Sequence, residues 1–373
     1  MKFSIDRAAL LRALAHVQSV VERRSTIPIL SNVRLKADDG MLSLATTDMD
    51  IEITEAIAAD VEKAGETTAP AVTLHDIIRK MPDSAKVTIE LDPSGNFITV
   101  RAGRSDFRLS CLPVSDFPQF GGGDYPVSFS TRAADLRALI DRTKFAMSSE
   151  ETRYYLNGIY LHAAENEGVA VLRAVSTDGH RLARFEMPLP EGAADMPGVI
   201  IPRKMVLELG KLLEEAADEI KISLSENKIT VAFDHIVLTS KLIDGTFPDY
   251  QRVIPQGNDK IIEVDPKVFS SAIDRVSTIS DGKSRAVKIT LNGKTLTLSA
   301  NSPEAGSAKE EIEVSSDAPD IEIGFNARYL LDITSQVDNE GGCRLSFSDP
   351  SAPTIIQDTS DPSSLYVLMP LRV

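Results

Sequence analysis

The sequence is short of cysteine, histidine and long apolar runs, and each shortage excludes a class of protein. Its 373 residues include only Cys111 and Cys343, so a disulfide framework is excluded and a reducing cytoplasm is the expected location. Five scattered histidines leave too few ligands for a zinc site, and we predict no metal or other cofactor. No apolar run approaches the roughly 20 residues of a membrane span. The first residues also lack the pattern of a secretory signal, so we expect no membrane partner.

Positive charge is also in the minority, with 40 Lys and Arg against 55 Asp and Glu and a net charge of −15 at pH 7. Because binding to phosphate needs positive charge, the whole-chain charge argues against a nucleic-acid partner. The distribution of charge reverses that argument: six predicted helical segments carry 16 basic and eight acidic residues, a net +8, and the remainder carries −23. We therefore predict a basic helical surface on an acidic body, with a merely solvated helix face as the alternative.

A segment near the start of the chain recurs twice. The sequence RAALLRAL at 7–14 matches RAADLRAL at 132–139 in seven of eight positions, and a weaker copy, DPKVFSSAI, occupies 265–273. Later landmarks recur in the same order, including Thr47-Asp48 in the first copy and Thr177-Asp178 in the second. The order indicates a threefold repeat. We predict domains at 1–126, 127–257 and 258–373.

Each copy shows the periodicities of both helices and strands. Apolar side chains such as Leu10 and Leu14 fall on one helical face, while the intervening segments alternate and are separated by turn residues. Hairpin turns make the sheets mainly antiparallel. The predicted fold class is therefore α+β, with two helices packed on antiparallel sheets in each copy. Asp265 and Asn326 are each predicted to cap a helix, and Thr73 with Asp76 to form a capping box.

No catalytic motif is present. The sequence contains no glycine-rich nucleotide-binding loop, no paired-histidine metal motif and no nucleophile elbow. Asp178 and His180 suggest an acid/base pair, but no nucleophile lies beside them in the sequence, and a structural or binding role is favoured over a hydrolase. Cys111 is interpreted as a small core residue within a strand. Two adjacent tyrosines, Tyr154 and Tyr155, indicate either one buried ring or a contact surface.

Five longer stretches identify a family: RYYLNG at 153–158, STDGHRLA at 176–183, IPRK at 201–204, TSKLIDGTFPDY at 239–250 and IGFN at 323–326. With them the whole chain resembles the bacterial sliding clamps, the beta subunits of the replicative DNA polymerase III. The resemblance implies a head-to-tail homodimer whose six domains close a ring, with helices lining a hole for duplex DNA. Such a protein catalyses no reaction. It binds DNA independently of sequence and confers processivity. A repeat scaffold that binds proteins but not DNA is the alternative.

The resemblance also assigns residues. The positions implied to contact DNA are Arg24, Tyr154, Tyr155, Arg203 and Lys204. A pocket between the second and third domains is implied to bind the DNA polymerase III alpha subunit, clamp-loader subunits and other proteins with a clamp-binding motif. The positions that match the pocket are Arg153, Leu156, Thr177, Gly179, His180, Arg181, Leu182, Pro248, Arg252, Val253, Asn326, Tyr329, Val367, Met369, Pro370 and Arg372. The positions assigned to the dimer interface are Arg104, Phe107, Leu109 and Ile279.

The chemistry of the pocket positions suits an apolar peptide. The apolar floor is predicted from Leu156, Leu182, Val253, Val367 and Met369. Polar groups of the ligand are expected to meet a rim of His180, Arg181 and Arg372.

The chain also departs from the family pattern. Ser149-Glu150-Glu151 is acidic beside the tyrosines, Val72-Thr73 replaces a basic pair, Asp106 replaces a basic residue, and Leu371 replaces a methionine. The departures at 149–151 and 106 fall on the implied DNA and dimer contacts.

Overall fold

A computed structural model describes residues 1–22, 26–120, 122–216, 219–280, 285–316, 318–338 and 340–372. Within these ranges the chain forms six α-helices and 26 strands, and all the hydrogen-bonded strand pairs are antiparallel. The predicted α+β class is confirmed. Among the described helices, none has the length and apolar character needed to span a bilayer.

The six helices occur two to a sequence copy. They are α1 (Arg7–Gln18), α2 (Ala71–Arg79), α3 (Ala133–Asp141), α4 (Arg203–Leu212), α5 (Pro266–Ser277) and α6 (Ala327–Thr334).

The 26 strands of the described ranges follow in chain order. Those before residue 133 are β1 (Lys2–Asp6), β2 (Asn32–Asp38), β3 (Met41–Thr47), β4 (Ile51–Ala58), β5 (Asp60–Lys63), β6 (Gly65–Pro70), β7 (Lys86–Leu91), β8 (Phe97–Ala102), β9 (Ser105–Ser110) and β10 (Val127–Arg132). The next seven are β11 (Gly158–Asn166), β12 (Val169–Thr177), β13 (Arg181–Pro188), β14 (Val199–Pro202), β15 (Glu219–Leu224), β16 (Lys228–Phe233) and β17 (Ile236–Lys241). The last nine are β18 (Lys260–Val264), β19 (Ala286–Asn292), β20 (Thr295–Ser302), β21 (Gly306–Glu313), β22 (Ser315–Ser316), β23 (Ile321–Asn326), β24 (Cys343–Phe347), β25 (Thr354–Asp358) and β26 (Ser364–Leu368).

The chain divides into two compact units. Unit 1 comprises Met1–Arg137, Pro190–Met196 and Lys204–Leu242, and contains a five-stranded sheet (β5-β1-β7-β8-β9) and an eight-stranded sheet (β10-β15-β16-β17-β4-β3-β2-β6). In the eight-stranded sheet β17 pairs with β4, from Ile236 opposite Glu55 to Ser240 opposite Ile51. This sheet therefore joins strands from the first and second sequence copies.

Unit 2 has the matching arrangement. It comprises Ala138–Leu189, Pro197–Arg203 and Ile243–Val373, with a nine-stranded sheet (β14-β11-β12-β13-β26-β25-β24-β18-β22) and a four-stranded sheet (β21-β20-β19-β23). In the larger sheet β13 pairs with β26, so strands of the second and third copies share one sheet.

Apolar spacing determines which helix face is buried. Leu10 and Leu14 of α1 are buried where α1 packs against α2, and Phe269 and Ile273 are buried in α5, which packs against α6. In both helices the two side chains are four residues apart and therefore lie on one face. The equivalent spacing in the first and third copies produces equivalent helix pairs.

Two predicted caps are confirmed and one is wrong. Asp265 accepts a hydrogen bond from the Val268 amide at 2.8 Å, and Asn326 accepts one from the Arg328 amide at 2.9 Å. Thr73 is not a cap, because α2 begins two residues earlier at Ala71, directly after β6. Cys111 was also wrongly placed within a strand, because β9 ends one residue before it and leaves its side chain half-buried.

Candidate functional site

The repeated Thr-Asp sequence stabilises a hairpin turn. At the β12–β13 hairpin, Asp178 Oδ1 accepts hydrogen bonds from the amides of His180 (2.9 Å) and Arg181 (3.0 Å), and the Thr177 hydroxyl donates to the Arg181 carbonyl at 2.6 Å. At the β3–β4 hairpin, Asp48 makes the corresponding bonds at 2.9 and 2.8 Å. The Asp178 carboxylate therefore holds the backbone of its turn. The residues described contain no cluster of potential metal ligands. The pair Asp178 and His180, on which the hydrolase hypothesis depended, therefore has a structural explanation.

The apolar pocket residues divide into a buried base and exposed side chains. Leu156, Leu182 and Val367 are buried in one cluster with Phe247 and Tyr250, all within unit 2. They come from a 3-10 helix at Glu151–Leu156 and from β13 and β26, the strands that join the second and third copies.

Val253 and Met369, also predicted for the floor, are 52% and 42% exposed. Val253 is the last residue of a 3-10 helix (Tyr250–Val253), and Met369 directly follows β26. Exposed apolar side chains close in sequence to a buried apolar cluster are suited to a peptide-binding surface.

A buried polar network supports this base, and the sequence analysis missed it. Arg173 and Glu186, 4% and 5% exposed, form an ion pair with 2.7 Å between Nε and Oε1. Arg173 Nη1 donates to the Tyr250 hydroxyl at 2.9 Å, and His162 Nε2 lies 3.0 Å from the same oxygen. Burial lowers the pKa of His162 and favours its neutral form.

The ion pair follows from strand register. Residue 173 of β12 lies opposite residue 186 of β13. The sequence did show one charged residue, Arg173, within an otherwise apolar strand. Its partner could not be identified, because the strand register alone determines which residue lies opposite. The pair fixes the hydroxyl of Tyr250, a member of the pocket base.

Arg181 is not a rim residue, contrary to the prediction. It is 9% exposed, and its guanidinium donates to Asp332, to Asp178 at 3.1 Å and to the Phe145 carbonyl at 2.7 Å. Its charge also lies 4.3 Å from the centre of the Tyr329 ring. The β12–β13 turn and α6 place a carboxylate on each side of Arg181, so this arginine ties the turn to the helix.

The remaining rim is exposed. His180 stacks on Tyr329 with 6.3 Å between ring centres, and its carbonyl accepts from the Met369 amide at 2.9 Å. Gly179 has a φ of +87°, and a β-carbon there would lie 2.8 Å from Arg153 Nη1. The backbone conformation at this position favours glycine, and the end of the Arg153 side chain would have to move to admit a β-carbon.

Further pocket positions take intermediate or exposed places in unit 2. Pro248, Arg252 and Arg372 are exposed, and Pro370 and Thr177 are half-buried. The chain beyond β26 is held by a hydrogen bond from the Leu371 amide to the Gly324 carbonyl at 2.7 Å. All sixteen predicted pocket positions therefore lie in one compact unit.

The positions implied to contact DNA are differently placed. Arg24 lies outside the described residues. Tyr154 is 53% exposed, whereas Tyr155 is half-buried against the pocket base and meets Tyr154 edge-on with 5.7 Å between ring centres. Arg203 is exposed at the start of α4, and its Nη1 donates to the Met147 carbonyl at 3.4 Å.

Lys204 is already held by protein groups. Its ammonium group is paired with the carboxylate of Asp48 and donates to the Val20 carbonyl at 3.2 Å, all within unit 1. The reason is the turn at Asp48, which leaves one carboxylate oxygen facing the lysine while the other bonds the backbone.

The helical charge excess is smaller than predicted. The six helices carry ten basic and six acidic residues, a net +4, because several basic residues lie beyond the helix ends. Some of the ten are also paired, as Arg12 is with Glu215 at 2.8 Å and Arg275 with Glu310 at 2.5 Å.

The assigned dimer positions of the first copy lie on an open sheet edge. Phe107 and Leu109 belong to β9, the edge strand of the five-stranded sheet, and Arg104 is exposed in the preceding turn. Asp106, which departs from the family pattern, accepts from Arg101 Nε at 2.9 Å and is satisfied within its own sheet. Ile279 is half-buried just beyond α5 in unit 2.

Comparison with known proteins covers the whole chain. The family described as the DNA polymerase III beta subunit matches with its N-terminal domain at residues 1–121, its central domain at 131–249 and its C-terminal domain at 251–372. The beta sliding clamp of Caulobacter vibrioides is 49% identical over 373 residues, and that of Escherichia coli is 37% identical over 374, each match covering 100% of both chains.

Solved structures agree. The DNA polymerase III subunit beta of Bartonella birtlesii, bound to griselimycin, has a TM-score of 0.97 and 48% identity over 100% of both chains. That of Caulobacter crescentus has a TM-score of 0.95 and 49% identity over 100% of both chains. The chain therefore belongs to the DNA polymerase III beta subunits, the bacterial beta sliding clamps, which are non-catalytic processivity factors of that polymerase.

Proposed function

We propose that two copies of this chain, each with domains at 1–126, 127–257 and 258–373, close head to tail into a ring around duplex DNA. Support comes from two open sheet edges, β9 of the five-stranded sheet and β21 of the four-stranded sheet. An edge strand presents unpaired amides and carbonyls, which another strand can complete. The exposed Phe107 on β9 adds apolar area to that edge. Arg104, Leu109 and Ile279 complete the proposed interface.

The contact with DNA is proposed to be weak, electrostatic and independent of base sequence. Arg203 and Tyr154 are exposed and suited to touch the backbone, and Arg24 belongs to the same proposal by its sequence match. Because a closed ring is retained by topology, it needs no tight contact and can slide while the polymerase remains attached.

Arg203 and Lys204 form a matched pair for testing this contact. Arg203→Ala should lower the salt dependence of DNA binding by about one phosphate contact. Lys204→Gln should leave that slope unchanged, because Lys204 is already paired with Asp48. Binding of a short duplex at several salt concentrations measures both slopes. Equal slopes for Arg203→Ala and the unmodified protein would remove Arg203 from the contact surface.

The pocket is proposed to take short apolar segments of the DNA polymerase III alpha subunit, clamp-loader subunits and other clamp-binding proteins. The single observation that supports it best is the exposed pair Val253 and Met369, which lie within three residues of Tyr250 and Val367 in the buried apolar base. Tyr155 packs against the same base, which links the tyrosine segment to the pocket.

Truncation and substitution of Met369 test the pocket. Removing residues 369–373, or making Met369→Ser, should weaken binding of a fluorescent alpha-subunit peptide at least tenfold, as expected for a central interface residue. Val169→Ser changes an apolar residue that is also exposed but lies outside the predicted pocket, and should have no effect. Sedimentation should show that all three variants remain dimeric. Unchanged peptide affinity in Met369→Ser would contradict the assignment.

The alternative function, a scaffold that binds proteins but not DNA, predicts the same peptide results without retention on DNA. The cytoplasmic location stays a prediction from the cysteine content.

A further inference from the structure

A second feature adjoins the candidate pocket: a groove of about 670 Å³ in unit 2. His180, Asn326 and Tyr329, all predicted pocket residues, form part of its lining. A ligand in the pocket can therefore extend into the groove. Unlike the apolar base of the pocket, the groove is lined largely by charged side chains, of which the described residues contribute five basic and three acidic.

Some of these charges are neutralised locally. Asp178 and Asp332 both contact Arg181, and Glu150 pairs with Arg153 at 3.3 Å. Lys144 pairs with Asp141 at 2.6 Å.

Three groove arginines remain without such a partner. Among the described residues, no carboxylate lies within ion-pair distance of Arg203, Arg285 or Arg328. All three are exposed. The groove therefore carries an excess of positive charge.

The fold fixes the positions of these three arginines. Strands β19 and β23 pair with Ala286 opposite Asn326, and the Ala327 amide donates to the Arg285 carbonyl at 2.9 Å. Arg285 and Arg328 are consequently held beside each other where β23 leads into α6. Arg203 is anchored separately, with its amide donating to the Asn157 carbonyl at 2.8 Å. The backbone at these three arginines is therefore fixed by hydrogen bonds before any ligand binds.

We propose that this groove binds acidic residues that flank the apolar anchors of partner peptides. The inference rests on the proposed peptide pocket and adds a second requirement to it. A guanidinium binds a carboxylate through parallel N–H donors, so three unpaired groups favour Asp or Glu. A peptide is favoured over a DNA backbone because His180, Asn326 and Tyr329 of the predicted pocket line the same groove, so an acidic residue would be held beside its own apolar anchors.

Three labelled peptides with the same Leu and Phe anchors test the proposal on the full-length protein. One carries Asp-Asp before the anchors, one carries Asp-Asp after them, and one carries Asn-Asn at both ends. Fluorescence anisotropy should show that one acidic peptide binds at least fivefold more tightly than the Asn peptide. The advantage should vanish in Arg285→Gln/Arg328→Gln. It should persist in the charge-matched control Lys309→Gln/Arg344→Gln, which alters two exposed ion pairs elsewhere in unit 2.

A charge exchange makes the test specific. The tighter-binding acidic peptide is remade with Lys-Lys in place of Asp-Asp. Arg328→Glu should bind this basic peptide more tightly than the acidic one. A variant that merely failed to fold would not show such a reversal. Equal affinity for all three peptides would overturn the proposal while leaving the apolar pocket intact. Failure of every peptide to bind would instead overturn the pocket. If the double arginine variant loses affinity for a short DNA duplex but keeps the acidic preference, the arginines serve DNA and the proposal is wrong.

Discussion

Replacing only one member of the buried ion pair Arg173–Glu186 should destabilise the protein strongly. Glu186→Gln removes the negative charge that faces Arg173, whose side chain is buried, and Arg184, which lies 3.2 Å from the same carboxylate. Losing one member of a buried pair costs about 3–5 kcal/mol. We expect the lower end, about 3 kcal/mol, because the amide oxygen of glutamine can still accept one hydrogen bond.

Hydrogen exchange measures this loss locally. The amides of β12 and β13 should exchange about a hundredfold faster in Glu186→Gln, since 1.4 kcal/mol corresponds to a factor of ten. The control is Glu311→Gln, which breaks an exposed pair with Lys309 in the same unit. That change should cost less than about 1 kcal/mol and alter exchange less than fivefold.

Replacing both partners separates charge burial from packing. Arg173→Met/Glu186→Leu fills the site with apolar groups and should recover at least half of the loss seen in Glu186→Gln. Exchange in Glu186→Gln that matches the Glu311→Gln control would refute the reasoning. So would a double variant that is less stable than Glu186→Gln.

Three further outcomes follow from single contacts. A hydrogen bond with Glu55 raises the pKa of His16 above 6.5. The stabilisation that protonated His16 gives the folded protein is therefore complete below pH 6.5 and is lost as the pH rises through the folded-state pKa. In urea titrations at several pH values, His16→Gln should reduce the fall in the free energy of unfolding over this pH range. Gly179→Ala should weaken peptide binding through its crowded arginine neighbour, whereas Gly168→Ala, also at positive φ but with open space, should leave anisotropy titrations unchanged. Asp265→Ala should lower the free energy of unfolding by about 1 kcal/mol in a urea titration, because it removes a helix cap.

Local chemistry made much of the fold readable from the sequence. Asp265 and Asn326 were recognisable caps because a cap bonds amides two or three residues away. The Thr-Asp turns were visible as a repeated landmark for the same reason. The capping box at Thr73 was misjudged because Ala71 and Leu74 are buried and extend the helix toward β6, and tertiary packing of this kind leaves no local signal.

Contacts between distant residues limited the site predictions. Arg203 and Lys204 are adjacent, yet one is exposed and the other pairs with Asp48, 156 residues away. Successive helical residues point about 100° apart, so neighbours need not share a surface. Similarly, Arg181 reads as a free cation until the fold brings Asp332 to it. The pairing of Arg173 with Glu186 required the register of β12 and β13.

The proposed ring would retain the protein on DNA by encirclement. The most direct measurement loads the labelled dimer onto a nicked circular plasmid with its clamp loader, linearises half of the sample, and follows the bound fraction by gel filtration. Encirclement predicts slow loss from circles, rapid loss from linear DNA, and restored retention when bulky proteins block both ends. Equal loss from circular and linear DNA would contradict it.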